Sequence, residues 1–160
     1  MKLAPSPSRR GAVRRYGGTA VRRQKIRLEH EDQNHYRGVM VPYERFDAWK
    51  IAHQLALDVY KVTDSWPINE RYGLTAQIRR AAISAPTNIA EGSAKRGPRE
   101  LRRYLDITLG SLSEVSYLLR FTRDRGILNE EGFRALDDLR NRAGQLTWRL
   151  YASLQGARSP

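Results

Sequence analysis

Residues 101–122 carry an apolar or small side chain at alternating steps of four and three: Leu101, Leu105, Thr108, Leu112, Val115, Leu119 and Thr122. That spacing puts all seven on one stripe of an α-helix about six turns long and conflicts with the period-two alternation of a strand. Tyr104, Ile107 and Leu118 widen the stripe. A stripe of that length needs partners of similar length, and the chain supplies three. Ala48, Ala52, Leu55, Val59, Val62 and Trp66 form one, broadened by Trp49, Ala56, Tyr60 and Thr63. Leu74, Ile78, Ala81, Ala82, Ala85 and Ile89 form the second, and Leu136, Leu139, Ala143, Leu146 and Leu150 the third.

Turn chemistry separates the four segments. Pro67 stops the first helix, and Asn69 to Gly73 make the turn. Gly92 reads as the C-terminal cap of the second, because glycine adopts the left-handed conformation that ends a helix. Gly97-Pro98-Arg99-Glu100 opens the third, with proline at its favoured first position and an acid in the first turn. Gly126 ends it, and Asn129 caps the fourth ahead of Glu130 and Glu131. The expected fold is all-α: an antiparallel up-down four-helix bundle over residues 44–156, with shallow left-handed crossings.

The flanks differ. Residues 1–43 contain Pro5, Pro7, Gly11, Gly17 and Gly18, with arginines paired at Arg9-Arg10, Arg14-Arg15 and Arg22-Arg23. Few large apolar side chains are present to offset ordering entropy, so this arginine-rich extension is expected to be disordered. It reads equally as a basic arm for nucleic acid, as a solvated tail, or as residues upstream of a true start at Met40. Residues 157–160 form a short tail.

Composition narrows the function. The 160 residues carry a net charge of +12, and residues 1–28 hold nine Lys/Arg and no acid. Such a balance favours polyanionic partners. No cysteine is present, so disulfides and thiolate metal sites are excluded. No apolar run approaches the ~20 residues of a membrane span, and the basic N-terminus lacks the apolar core of a secretory signal, which makes a cytoplasmic protein the expectation.

Residues 77–92, Gln-Ile-Arg-Arg-Ala-Ala-Ile-Ser-Ala-Pro-Thr-Asn-Ile-Ala-Glu-Gly, keep Pro86 inside an otherwise helical segment. An interior proline costs about 3 kcal/mol, an amount that burying one or two Leu or Ile side chains offsets. Together with Phe46-Asp-Ala-Trp49-Lys-Ile-Ala52-His, Trp66-Pro67, Glu70-Arg-Tyr-Gly-Leu74 and Leu109-Gly-Ser-Leu-Ser-Glu114, this stretch resembles the four-helix bundle proteins encoded in 23S rRNA intervening sequences. More distantly it is similar to the accessory variability proteins of diversity-generating retroelements. The resemblance spans residues 43–155 and implies a homopentamer with basic surfaces for nucleic acid and, in the retroelement branch, a reverse transcriptase partner. It implies no established enzymatic activity. Gly97-Pro98 and Leu101 stand where many members have a Ser cap and an aromatic residue, and the arginine-rich extension lies outside the family pattern.

No catalytic constellation emerges. His30, His35 and His53 lack any metal-ligand spacing, and Asp137-Asp138 point about 100° apart on a helix. Gly110-Ser111 lacks the strand–turn–helix setting of a nucleophile elbow. The expectation is a protein that is not an enzyme and has no metal or other cofactor. Candidate phosphate contacts are Arg79, Arg80, Lys95, Arg96, Arg99, Arg102 and Arg103, read as one cluster around the turn between the second and third helices, with Arg99, Arg102 and Arg103 on one side of the third. Gln77, Ser84, Asn88 and Glu91 share a polar stripe with Arg80, either a hydrogen-bonded seam pairing Arg80 with Glu91 or an ordinary solvated face. With Pro86, Gly92 and Glu114 they are the candidate structural or interface residues. Two functions remain open on the sequence: a nucleic-acid-binding oligomer, and a protein-interaction adaptor.

Overall fold

The computed structural model describes residues 41–155. Residues 1–40 of the arginine-rich extension, including Met40 as a start, and the tail at 157–160 lie outside the described residues, whereas Pro42 and Tyr43, expected within the disordered extension, belong to an ordered turn. Four helices dominate: α1 (Asp47–Thr63), α2 (Leu74–Ala94), α3 (Pro98–Asp124) and α4 (Glu130–Ser153). Short 3₁₀ turns at Pro42–Arg45 and Ile68–Glu70 precede α1 and α2. Each helix packs on two neighbours, α1 on α2, α2 on α3, α3 on α4 and α4 back on α1, with no close backbone approach across either diagonal. No strand occurs among the described residues. This is the expected antiparallel up-down bundle.

The central stripes of α1 and α3 face inward as the spacing predicts, whereas Tyr60 and Ile107, expected to widen them, are exposed because each lies at the edge of its stripe. Leu55, Val59, Leu105, Val115 and Leu119 are fully buried, as are Thr108 and Thr122. A buried threonine is tolerated when its hydroxyl finds an acceptor within its own helix. Thr108 donates to the Tyr104 carbonyl at 3.0 Å and Thr122 to that of Leu118 at 2.8 Å. On α2 the small residues Ala81, Ala82 and Ala85 are buried with Ile78 and Ile89, which lets α3 approach closely. Pro86 is buried on the same helix, and α2 continues through it to Ala94.

Three boundaries and faces differ from expectation. Helix α1 ends at Thr63, so Trp66, expected on its stripe, is buried instead from within the turn. Gly92 does not end α2. The helix runs two residues further, and positive φ belongs only to Gly97 (86°) and Gly126 (71°) among the described glycines. Gly92 instead lets helices meet: a Cβ there would lie 2.7 Å from Tyr104 Cβ and 3.1 Å from Leu101 Cδ1 of α3. On α4 the buried residues are Phe133, Leu136, Ala143 and Thr147, while Leu139, Leu146 and Leu150 are only half-buried. The stripe is rotated because Thr147 enters the core, its hydroxyl bonded to the Ala143 carbonyl at 2.8 Å.

Helix ends follow their local chemistry. Asn129 Oδ1 accepts from the Gly132 amide at 2.8 Å and caps α4. Left-handed Gly126 closes α3: its amide donates to the Arg123 carbonyl at 2.8 Å and the next, of Ile127, to that of Thr122 at 2.9 Å. These are the paired bonds of a Schellman motif. In the first turn of α1, Lys50 donates to Asp47 at 2.9 Å, and that bond with the lysine charge holds the exposed Asp47 carboxyl below its ordinary pKa.

Candidate nucleic-acid interface

The seven candidate basic residues do not form one cluster. Arg79 and Arg80 lie near the start of α2, whereas Lys95 follows its end. Sixteen residues separate Arg79 from Lys95, about 24 Å along the axis at 1.5 Å per residue. The bundle therefore has two basic loci, one at the α1–α2 end and one at the α2–α3 end.

Arg79 belongs to the architecture. Its Nε donates to Thr63 Oγ1 at 2.7 Å, and its Nη2 donates to the Tyr60 carbonyl at 3.2 Å and to Asp64 Oδ1 at 2.8 Å. The guanidinium also lies over the Tyr60 ring, 4.7 Å from its centroid. An α-helix leaves its last carbonyls without intrahelical donors, and Arg79 supplies donors to the C-terminus of α1. The neighbouring Arg80 points about 100° away. Its Nη2 donates to Gln77 Oε1, and Gln77 Nε2 donates to Glu114 of α3. Further along, Asn88 Nδ2 donates to the Ser84 carbonyl at 2.8 Å and contacts Ser84 Oγ at 3.1 Å, and Ser84 Oγ meets Ser111 Oγ of α3 at 2.9 Å.

The polar stripe is thus a hydrogen-bonded seam between α2 and α3 within one chain. Its carboxylate is Glu114, not Glu91. Glu91 is exposed at the far end of α2 and takes no part in that chain of bonds.

At the α2–α3 end, adjacent arginines again part company. Arg102 is half-buried against α4: its Nη2 donates to the Tyr151 hydroxyl at 3.0 Å and its guanidinium sits 4.6 Å from the centre of that ring. Arg99, Arg102 and Arg103 therefore do not project together. Arg103 is exposed and only 3.8 Å from Glu100, a long surface pair of small energetic weight. Lys95, Arg96 and Arg99 are exposed, with the Lys95 ammonium 5.8 Å from the Tyr104 ring centre. The solvent-facing cluster reduces to Lys95, Arg96, Arg99 and Arg103, with Glu100 as its internal counter-charge. Gly97 makes this crowding possible, because its left-handed φ turns the chain sharply from α2 into α3.

Sequence reasoning passed over two features. Arg140 lies among the buried positions of α4, paired with Asp137 at 2.9 Å, and both side chains are largely buried. The second is a cleft of about 180 Å³ at the α1–α2 end, lined by Thr63, Asp64, Trp66, Arg71, Thr75 and Arg79 among others. Trp66 Nε1 and Thr75 Oγ1 are buried there without a hydrogen-bond partner among the described residues. Each such group ordinarily costs about 1–3 kcal/mol. Ile68 and Tyr72 in the connecting turn at this end are strongly exposed.

Among the described residues no group of His, Cys, Asp or Glu side chains is arranged to hold a metal ion. No helix there is long and apolar enough to cross a membrane.

A family model described as 23S rRNA-intervening sequence protein matches residues 44–148. A crystal structure of a protein of unknown function from the S23 ribosomal protein family of Bacteroides thetaiotaomicron superposes with a TM-score of 0.58 at 18% sequence identity, covering 65% of this chain and 97% of that one. At that identity the likeness speaks for the fold. No curated protein matches the chain.

Proposed function

The chain belongs to the 23S rRNA-intervening sequence protein family, and from that premise we propose that it is a non-enzymatic, cytoplasmic, oligomeric bundle that holds nucleic acid through phosphate contacts. The observation that carries the reading is the exposed set Lys95, Arg96, Arg99 and Arg103 at the α2–α3 end, of which only Arg103 approaches a carboxylate within 4 Å among the described residues, that of Glu100 at 3.8 Å. These side chains can neutralise phosphates, and nothing in their arrangement reads base edges, so binding is largely independent of sequence. Self-association as a homopentamer is part of the proposal. It is supported by apolar side chains left exposed on α2 and α3, namely Ile83, Ile107, Tyr117 and Phe121, and a ring would multiply the basic end around one axis.

The same exposed side chains favour a second reading, an adaptor docking a protein such as a reverse transcriptase. The two separate by salt. Four phosphate contacts per subunit give a log–log slope of about −3.6 on duplex DNA, hence about a 150-fold loss of affinity between 50 and 200 mM salt. Fluorescence anisotropy with a labelled oligonucleotide measures it, and Arg99→Ala with Arg103→Ala should lower the slope by about 2. An affinity indifferent to salt overturns the nucleic-acid reading. A polymerase that still co-purifies after nuclease treatment favours the adaptor.

A further inference from the structure

The geometry points to an anion site at the other end of the molecule: we propose that the cleft between Trp66, Arg71, Thr75 and Arg79 binds a phosphate group. Four observations converge on it. The cleft holds two guanidinium groups against one carboxylate, Asp64, which is itself mostly exposed. Arg79 commits its Nε and Nη2 to the end of α1, leaving Nη1 uncommitted among the described residues. Arg71 is exposed and enters no side-chain bond there. Trp66 and Thr75 of the cleft lining are each more than nine-tenths buried, and the indole N–H of the one and the hydroxyl of the other have no hydrogen-bond partner among the described residues.

The backbone adds to the field. Helix α2 begins at the cleft with neither a side-chain cap nor an acid in its first turn, and Thr75 of that turn lines the cleft. Its first amides and the positive end of its dipole are therefore available to an anion. Glu70 lies beside Gly73 but does not line the cleft. The ligand class follows from size and donor geometry. At about 180 Å³ the cleft is smaller than the ~300–1,000 Å³ of sites that enclose a whole drug-sized molecule, so it takes a group. Donors arrive from the turn, from the α2 start and from the α2 side wall. A tetrahedral phosphate, with oxygens in several directions, meets them better than a planar carboxylate. The site stands independently of the α2–α3 basic end.

Trp66 supplies a local reporter. Inorganic phosphate is titrated into the ¹⁵N-labelled full chain at fixed ionic strength, with chloride as the matched salt, and the three indole N–H resonances are followed. Trp66→Phe assigns the relevant one. The expected result is a saturable shift confined to the Trp66 indole, weakened about tenfold by Arg71→Ala, which removes an exposed charged donor. Thr75→Val serves as a second variant and should weaken binding without altering the amide spectrum elsewhere. A 5′-phosphorylated tetranucleotide that moves this resonance, when its 5′-hydroxyl counterpart does not, assigns the site to nucleic-acid ends. Phosphate alone moving it assigns the site to free anions. Arg99→Ala with Arg103→Ala leaves the phosphate shift unchanged, so failure of the basic end is distinguishable from failure of the cleft. A shift no larger than that of chloride, or one insensitive to Arg71→Ala, overturns the proposal.

Discussion

Replacing Gly92 by alanine sets two opposing terms against each other. In a helix interior, Gly→Ala ordinarily stabilises by about 1 kcal/mol through backbone entropy. At Gly92 the new Cβ would stand 2.7 Å from Tyr104 Cβ and 3.1 Å from Leu101 Cδ1. Carbon pairs prefer about 3.5–4.0 Å, and Tyr104 Cβ is fixed to the α3 backbone and cannot rotate away. The helices must therefore part by roughly 1 Å, which forfeits a quarter to a half of the dispersion energy along the contact. Overpacking of this kind costs about 1–3 kcal/mol. The net expectation is a loss of up to about 2 kcal/mol.

Gly144→Ala is the control. It sits in α4 with no atom within 4 Å of the added Cβ, so it should stabilise by about 1 kcal/mol. Equilibrium urea unfolding followed by circular dichroism, at one protein concentration because self-association shifts apparent stability, measures both. Equal stabilisation by the two substitutions would refute the close-approach argument.

Two further outcomes follow from the helix termini. Arg79→Ala should cost about 2 kcal/mol, most of it from the bonds to Thr63 and the Tyr60 carbonyl rather than from the solvent-exposed Asp64 pair; Arg79→Lys should recover less than half, since an ammonium cannot reproduce the fork, and a fully stable lysine variant in the same urea assay would contradict this. Asn129→Ala should cost about 1 kcal/mol and Asn129→Asp almost nothing, because only α4 of the four helices relies on a side-chain N-cap, and equal midpoints for both variants would count against that role.

The helices were legible because spacing is periodic and burial follows it: the buried stripe of α3 is the one read from residues 101–122. The sites were less legible because adjacent residues of one type diverge by about 100°. Arg79 and Arg80 are identical on paper, yet one supports α1 and the other joins the α2–α3 seam. Arg102 and Arg103 divide in the same way, and the difference depends on Tyr151, forty-nine residues from Arg102. A turn-centred count of charges also overlooked that α2 itself holds its two basic ends apart. Thr147 misled for another reason: a hydroxyl that bonds within its own helix behaves as an apolar filler, so hydropathy alone misplaced the face of α4.

The square arrangement has a consequence for how the molecule comes apart. With four interfaces between neighbouring helices and no close backbone approach across a diagonal, a remnant of three helices keeps only two of the four. Detaching one helix thus surrenders half of the burial between helices while freeing only about a quarter of the ordered backbone. Partial states are poor bargains under that ratio, so the helices stand or fall together: cooperativity here is a property of the ring's geometry before it is a property of any residue.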